Sequence, residues 1–323
     1  MYMLISFVIP LYNCEALIGR CLDSIFSSDV DTGLFEVVIV DDGSRDGSVA
    51  VVRDYARKHS NITLVCQRNA GASAARNAGL RRAGGRYVWF ADADDHIASK
   101  FFQAIIARLG KEENTEMFSF NYQEVMTDKV IDRQLFSRED NMTGVQYYQR
   151  YANSYLWNKI MRRDMIRHEF LDGTKNLEDL YFCLQNVLVC HHITVLPLCG
   201  YYYDHTNATS TSLDQSLANL EKRSDDTLTI QRCILTDIVS LPADLQAVYR
   251  SILTETTAGH LYSLLCYYPV RRLRFVLKKY RQWHLYPIVS RTCNKRMNLF
   301  IRLANHQWLL YLGIIIKNII RRR

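Results

Sequence analysis

Three carboxylates, Asp92, Asp94 and Asp95, follow directly on an apolar run in the stretch YVWFADADD (87–95). Carboxylates massed at one point repel one another and are costly to desolvate unless a cation or hydrogen-bond donors compensate them. A hard divalent ion such as Mg2+ or Mn2+ prefers oxygen ligands of this kind, and the natural client of such an ion is a diphosphate. A solvated turn ahead of the helix starting near Ala98 is the plainer alternative that so short a pattern leaves open. A second acidic pair, Asp41-Asp42, ends the apolar run 35–40 and is followed by Gly43-Ser44. A carboxylate there can accept hydrogen bonds from a uracil N3–H or from ribose hydroxyls and would repel phosphate, so base and sugar recognition suits it, with Asp41 as the ligand. Gly43 also permits positive φ, and Ser44 or Asp46 can cap the next helix.

The elements that must position these acids are legible in the spacing. Short apolar runs at 4–9, 35–40, 63–66 and 87–91 read as strands. They alternate with helical patterns over 15–26, 46–58 and 72–83. Near-continuously apolar strands separated by amphipathic helices predict a parallel sheet covered on both faces, with ligands gathering beyond the carboxyl ends of the strands. No G-x-G-x-x-G follows the first strand, so the layout is Rossmann-like without the dinucleotide fingerprint. Further on, a helix over 101–109 and a strand over 117–125 are predicted, then loops with room for a hairpin up to Gly144. A strand-rich run, ITVLPLCGYYYDH (193–205), is followed by TNATSTS (206–212).

The chain of 323 residues, 48% hydrophobic and 23% charged, can bury a sizeable core, which excludes disordered and low-complexity classes. Nine scattered cysteines without a C-x-x-C pair point to reduced, inert thiols. The first residues lack the basic region and length of a secretory leader and read as the first strand of a cytoplasmic protein. Charge is divided unevenly. From Thr256 to Arg323 there are fourteen Lys or Arg and no Asp or Glu, so the first 255 residues hold 26 basic against 33 acidic, a net of −7 within a total of +7. An acidic body with a basic tail suits a polyanionic partner; nucleic acid is disfavoured because no reader motif accompanies the basic run.

Four stretches in order, FVIPLYN (7–13), VVIVDDGSRDGS (37–48), NAGASAARNAGL (69–80) and YVWFADADD (87–95), resemble the N-terminal half of a family 2 glycosyltransferase of GT-A fold. The resemblance implies a nucleotide-sugar donor, UDP-linked, a divalent metal on its diphosphate, and transfer with inversion to a glycan or lipid-linked acceptor in surface polysaccharide assembly. By the same resemblance Pro10 and Tyr12 lie against the nucleobase, Asp41 binds it, and Asn69, Gly71 and Arg76 line the nucleotide and donor sugar. Arg76 is also suited physically to a diphosphate or an acidic neighbour. Asp92 holds ribose or donor sugar, Asp94 ligates Mn2+ or Mg2+, and Asp95 supports the site or binds sugar hydroxyls. Gly71 and Gly79 have close packing as a rival explanation.

In the second half Glu178-Asp179 opens an apolar helix and resembles the family's acidic pair, which implies Asp179 as base with Glu178 orienting it or gripping the acceptor. Acids at a helix N-terminus are also favourable for their own sake. Trp157 and Lys159 match an aromatic-x-Lys element on the acceptor side, although Trp157 suits a core equally well. His205 stands in the region that closes over the diphosphate in relatives, where a basic residue is usual.

The expected division is a GT-A domain over 1–215, its nucleotide half at 1–95 and acceptor half at 96–215, and a basic helical region over 216–323. Helices are predicted at 217–238, 243–266, 271–280 and 297–320, with Pro242, Pro269 and Pro287 at boundaries. The last helix is short for a membrane span; Trp308, Tyr311 and Arg321 to Arg323 suit an anionic membrane surface instead, and a packed lid or a homodimer interface are the alternatives. Two rival functions remain: nucleotidyl transfer on the same fold, and a non-catalytic membrane scaffold of an assembly complex.

Overall fold

The computed structural model describes residues 3–112, 114–207, 214–292 and 294–320. The chain forms two compact units, 1–213 and 214–323. The first runs β1 (Ile5–Leu11), α1 (Ile18–Phe26), β2 (Phe35–Asp41), α2 (Ser48–Lys58), β3 (Ile62–Cys66), α3 (Ala72–Arg82) and β4 (Tyr87–Phe90). It continues through β5 (His96–Ile97), α4 (Ser99–Leu109), β6 (Met117–Val125), β7 (Val130–Arg133), β8 (Asp140–Met142), α5 (Gly144–Tyr151), β9 (Lys159–Arg162), α6 (Glu178–Asn186) and β10 (Ile193–Asp204). One sheet results, in the order β3-β2-β1-β4-β9-β6-β10-β5, with β7 on β6 and β8 on β10. Strands β3-β2-β1-β4 run parallel, as do β6 and β10; β9 enters between the two sets, antiparallel to both β4 and β6, so the whole is a mixed, mostly parallel α/β sheet.

Alternation along the strands sorts side chains between the two faces. Phe7, Ile9 and Trp89 join Cys21, Leu22, Val52 and Phe102 from α1, α2 and α4 on one face. Val38 and Val40 meet Ala75 of α3 on the other. Here α3 comes so close that a Cβ on Gly79 would lie 2.5 Å from Cγ1 of Val8. Packing is therefore the reason for glycine at that position.

Three expected boundaries shift for identifiable reasons. The first strand runs past Pro10 to Leu11 because β1 pairs with β4 only as far as Val8, and the missing N–H of Pro10 faces that unpaired side. The first helix begins at Ile18 rather than near Glu15, and the second at Ser48 rather than Asp46, because the loops after β1 and β2 clasp each other. The backbone N–H groups of Asn13, Cys14 and Glu15 donate to Ser44, Ser48 and Asp46, while Glu15 accepts from the N–H of Gly47 at 2.8 Å. A further helix, α5, lies in the stretch that reads as loop. Its signal was the capping box formed by Thr143 and Gln146.

The second unit consists of α7 (Leu217–Asp237), α8 (Ala243–Tyr267), α9 (Val270–Gln282), α10 (Lys295–Ala304) and α11 (Gln307–Ile320) around a core that includes Leu261, Leu264, Val276, Leu277, Tyr280 and Leu310. Pro242 and Pro269 stand at the N-caps of α8 and α9. The expected single helix over 297–320 is instead a helical hairpin. The Tyr286 hydroxyl donates to the carbonyls of Ala304 and Asn305, at 2.8 and 3.2 Å, and the Asn305 side chain bridges both backbone groups of Ile288. Carbonyls engaged in this way terminate α10 and the chain turns. No helix among the described residues is long and apolar enough to cross a membrane, and the eight described cysteines are free. Arg321 to Arg323 lie outside the described residues.

The closeness of α3 and β1 reverses an ordinary rule. Replacing a mid-helix glycine by alanine favours the helix by up to about 1 kcal/mol, but overpacking costs about 1–3 kcal/mol. Gly79→Ala is expected to lose stability on balance, read as a lowered midpoint in urea unfolding of the full chain.

Candidate functional site

The carboxyl ends of β1, β2 and β4 bring together most of the residues expected to form the site. Asp41, the last residue of β2, is buried, and its Oδ1 accepts from the Ser44 N–H at 3.2 Å, closing the turn after the strand. Its neighbour Asp42 has a role that sequence reasoning missed. One of its oxygens accepts from the Gln67 amide and the Ala70 N–H and the other from the Gly71 N–H, all at 2.8 Å. Asp42 thereby pins the 69–71 loop in front of α3. Gly71 stands there at φ +95 with open space around it, so backbone conformation, rather than packing, calls for glycine. Asn69 and Tyr12 are exposed and Pro10 is half-buried beside them in sequence, at the same end of the sheet.

The second result concerns Arg76. Its buried guanidinium pairs with Asp92 at 3.1 Å through one terminal nitrogen and, through the other, with Asp179 at 3.2 Å and Glu178 at 3.4 Å. Of the two physical roles open to it, the structure shows the acidic neighbour. Asp179 and Glu178 lie about a hundred residues further along the chain, and α3 holds the segment that carries them. Asn77 accepts from the Phe170 N–H and donates to its carbonyl, at 2.8 and 2.9 Å, and the Ser73 hydroxyl donates to the carbonyl of Thr174. The motif residues Ser73, Arg76 and Asn77 thus join the two halves of the site.

Electrostatics separates the acids. Asp179 is enclosed by protein yet keeps 32% of its side-chain surface open. Burial, then the charges of Glu178 and Asp92, raise its pKa against the opposing pull of Arg76 and Lys159, to about 7. Burial also lifts Asp94 and Asp95 above the ordinary carboxylate range, reinforced in both by Asp92. The Asn207 amide donates to Asp94 at 2.8 Å, and Arg20 of α1 donates to the Asp94 carbonyl while pairing with Asp204 at 2.6 Å. Asp95 is buried and accepts from the Asp204 N–H at 2.7 Å, so it ties the DADD turn to the end of β10.

Trp157, expected on the acceptor side, is buried and stacks on Tyr201 and Tyr155, with ring centroids at 4.9 and 4.8 Å. The Tyr201 hydroxyl accepts from the Asp92 N–H at 2.9 Å, so the stack leads from exposed Tyr155 to the acidic turn. Lys159 is buried too. Its ammonium donates to Asn153, Asn158 and the Tyr155 carbonyl, and burial lowers its pKa to about 8. His205 stands edge-on to Tyr203, with Glu124 as its acidic neighbour at 4.0 Å. Residues 208–213 of the Ser/Thr-rich loop lie outside the described residues.

Removing the cation that pairs with all three acids has a definite consequence. Breaking a buried ion pair from one side costs about 3–5 kcal/mol, and the partial exposure of these acids points to the lower end. Arg76→Met is expected to lower unfolding free energy by about 3 kcal/mol, with the deficit shrinking on acidification as the uncompensated acids take up protons. Urea unfolding of both forms across pH reads this directly.

The profile described as Glycosyl transferase family 2 matches residues 6–180, a region that closes just after Asp179. Among curated proteins, the chain is 25% identical over 208 residues to the putative glycosyltransferase EpsH of Bacillus subtilis, covering 62% of this chain and 60% of that protein. It is 26% identical over 260 residues to the poly(ribitol-phosphate) beta-N-acetylglucosaminyltransferase TarS of Staphylococcus aureus, covering 79% of this chain and 44% of that one. The match therefore spans less than two thirds of the length of either relative. The solved structure of S. aureus TarS 1-349 in complex with UDP-GlcNAc has a TM-score of 0.68 at 21% identity, over 97% of this chain and 88% of that one. The mannosyltransferase PcManGT from Pyrobaculum calidifontis, in complex with GDP-Man and Mn2+, has a TM-score of 0.53 at 16% identity, over 100% of this chain and 89% of that one. Both likenesses show the fold. With the family profile matched over more than half its length, the chain belongs to glycosyl transferase family 2.

Proposed function

We propose that the chain is an inverting glycosyltransferase: a hydroxyl of a glycan or lipid-linked acceptor attacks the anomeric carbon of a UDP-linked sugar, and UDP departs. The observation that carries this reading is the single guanidinium of Arg76, paired on one side with Asp92 and on the other with Asp179. An inverting displacement needs its base and its donor on one cleft, and an ion pair of this kind keeps the acids of both halves within the span of one side chain. Asp179 takes the proton of the attacking hydroxyl. A carboxylate whose pKa is raised to about 7 is a stronger base than an ordinary carboxylate and is about half ionised at neutral pH. Glu178, on the same helical turn and the same guanidinium, orients it. Asp41 and the exposed Tyr12 and Asn69 hold the base and ribose, and Asp92 the donor sugar. UDP is supported by the UDP-GlcNAc bound to the TarS neighbour.

The residues fit a divalent ion. Asp94 is a half-buried carboxylate whose charged form is disfavoured by burial and by its acidic neighbours, which a cation would relieve. Among the described residues no group of three or more His, Cys, Asp or Glu could hold a metal alone; in this reading Asp94 would share a Mg2+ or Mn2+ ion with substrate phosphates. When bound, such an ion neutralises charge on the leaving diphosphate. The basic second unit supports work at the anionic inner face of the cell membrane, where a lipid-linked acceptor for surface polysaccharide would be met.

Two outcomes are expected. Asp179→Asn lowers kcat by about 10²–10⁴-fold while UDP binding persists. In the wild type, kcat/KM rises with pH through about 7, since the base acts only when deprotonated; a flat profile with an active Asp179→Asn form would remove the assignment. In thermal-shift measurements UDP with Mn2+ stabilises the protein beyond either alone, by about 2.7 kcal/mol at a hundredfold excess over Kd, and Asp94→Asn abolishes the difference. A UDP shift indifferent to metal would overturn the metal reading and leave the base intact.

A further inference from the structure

The turn between α10 and α11 converts one apolar segment into two short helices, each apolar on opposite sides. On α10, Ile301 and Ala304 are buried in the core of the second unit, whereas Leu299 and Leu303 are 60% and 51% exposed. On α11, Leu310 and Ile314 are buried and Trp308 and Leu312 are 63% and 43% exposed. At about 100° per residue, each exposed pair points roughly opposite the buried pair of its own helix. Both helices lie against α8, and α11 does so closely: a Cβ on Gly313 would come 2.7 Å from Leu265. Their outer faces therefore both turn away from α8.

Exposed large apolar residues scattered singly are ordinary, whereas each of these two adjoining helices carries a spaced pair on its outer face. The charges along these two helices are of one sign. Lys295 and Arg302 flank Leu299 and Leu303 on one side of the α10 wheel and Arg296 flanks them on the other, all exposed, in a stretch from Thr256 onward that has no Asp or Glu. An apolar stripe with Trp and Leu, bordered by Lys and Arg, matches the interface of an anionic bilayer, with the apolar side chains at the acyl boundary and the cations at the headgroups.

We propose that the outer face of the α10–α11 hairpin docks the protein on an anionic lipid surface by shallow insertion of Leu299, Leu303, Trp308 and Leu312. This deepens the membrane reading above and rests on it. Insertion, as distinct from charge attraction alone, predicts that part of the binding survives high salt, because screening weakens only the cationic contribution.

The test is co-sedimentation of the full chain with vesicles of phosphatidylcholine alone and of phosphatidylcholine mixed with phosphatidylglycerol, at low and high salt. Wild type is expected on the mixed vesicles. Leu299→Ser with Leu303→Ser, and Trp308→Ser with Leu312→Ser, each lower binding by about tenfold or more and abolish the salt-resistant part. These side chains are exposed, and unchanged far-ultraviolet circular dichroism and urea unfolding confirm that the variants are folded. Wild type that binds no anionic vesicle would overturn both the membrane reading and this inference. Binding that both double variants retain would overturn the inference alone. A dimer in solution that the same variants dissociate, without vesicle binding, would mean that a second copy covers the face and would also overturn it.

Discussion

The site depends on one buried positive charge. Arg76 projects from α3 into a region holding Asp92, from the turn after β4, and Glu178 and Asp179, from the first turn of α6. Without a cation, three carboxylates at this spacing could be kept together only by taking up protons. A guanidinium is suited to the position because it is planar, stays charged when buried and offers nitrogens on separate edges. Its location follows from the close packing of α3 on β1, which glycine at position 79 allows, and from Asn77 and Ser73, which hold the 170–174 segment to the same helix. Scaffold and site are therefore bound by the same eleven-residue helix.

Around this cation the acids differ in environment more than in identity. Asp179 is raised mainly because protein surrounds it, although part of its side-chain surface stays open, a combination that suits the proposed base. Asp94 is lifted by burial and by the negative charges of Asp92 and Asp204, a condition that the proposed cation would relieve. Asp95 and Asp42 are consumed by backbone N–H groups and serve the loops on either side. The aromatic stack of Tyr155, Trp157 and Tyr201 gives the acidic turn a second anchor, through the Asp92 N–H.

The second unit solves a different problem. Its helices have enough apolar surface to build a core, in which a buried His260 is bridged between Ser224 and Tyr280 and held uncharged by burial, with its pKa lowered to about 3. The surplus of apolar residues on α10 and α11 goes to the outside, where it is bordered by cations. Ending α10 with the Tyr286 hydroxyl and the Asn305 amide divides the surplus between two short helices.

The sequence by itself determined the repeating strand–helix layout, because alternation and 3.6-residue spacing are local signals, and it determined the family through four motifs in order. Asp41, Asp94 and the pair Glu178-Asp179 could be singled out because carboxylates at a strand end or a helix start are visible in one dimension. It could not say that Arg76 would meet an acid rather than a phosphate, that Asp42 would pin a loop, or that Trp157 would be buried in an aromatic stack. Each of those depends on which distant segment arrives, and the chain records the partners without recording the pairing. The break between α10 and α11 was hidden for the same reason: Asn305 and His306 are weak stop signals, and the groups that engage the end of α10, Tyr286 and Ile288, belong to a segment some seventeen residues earlier. Local periodicity thus decides which elements form; only the tertiary structure, through long-range hydrogen bonds and burial, decides which side chains share a charge.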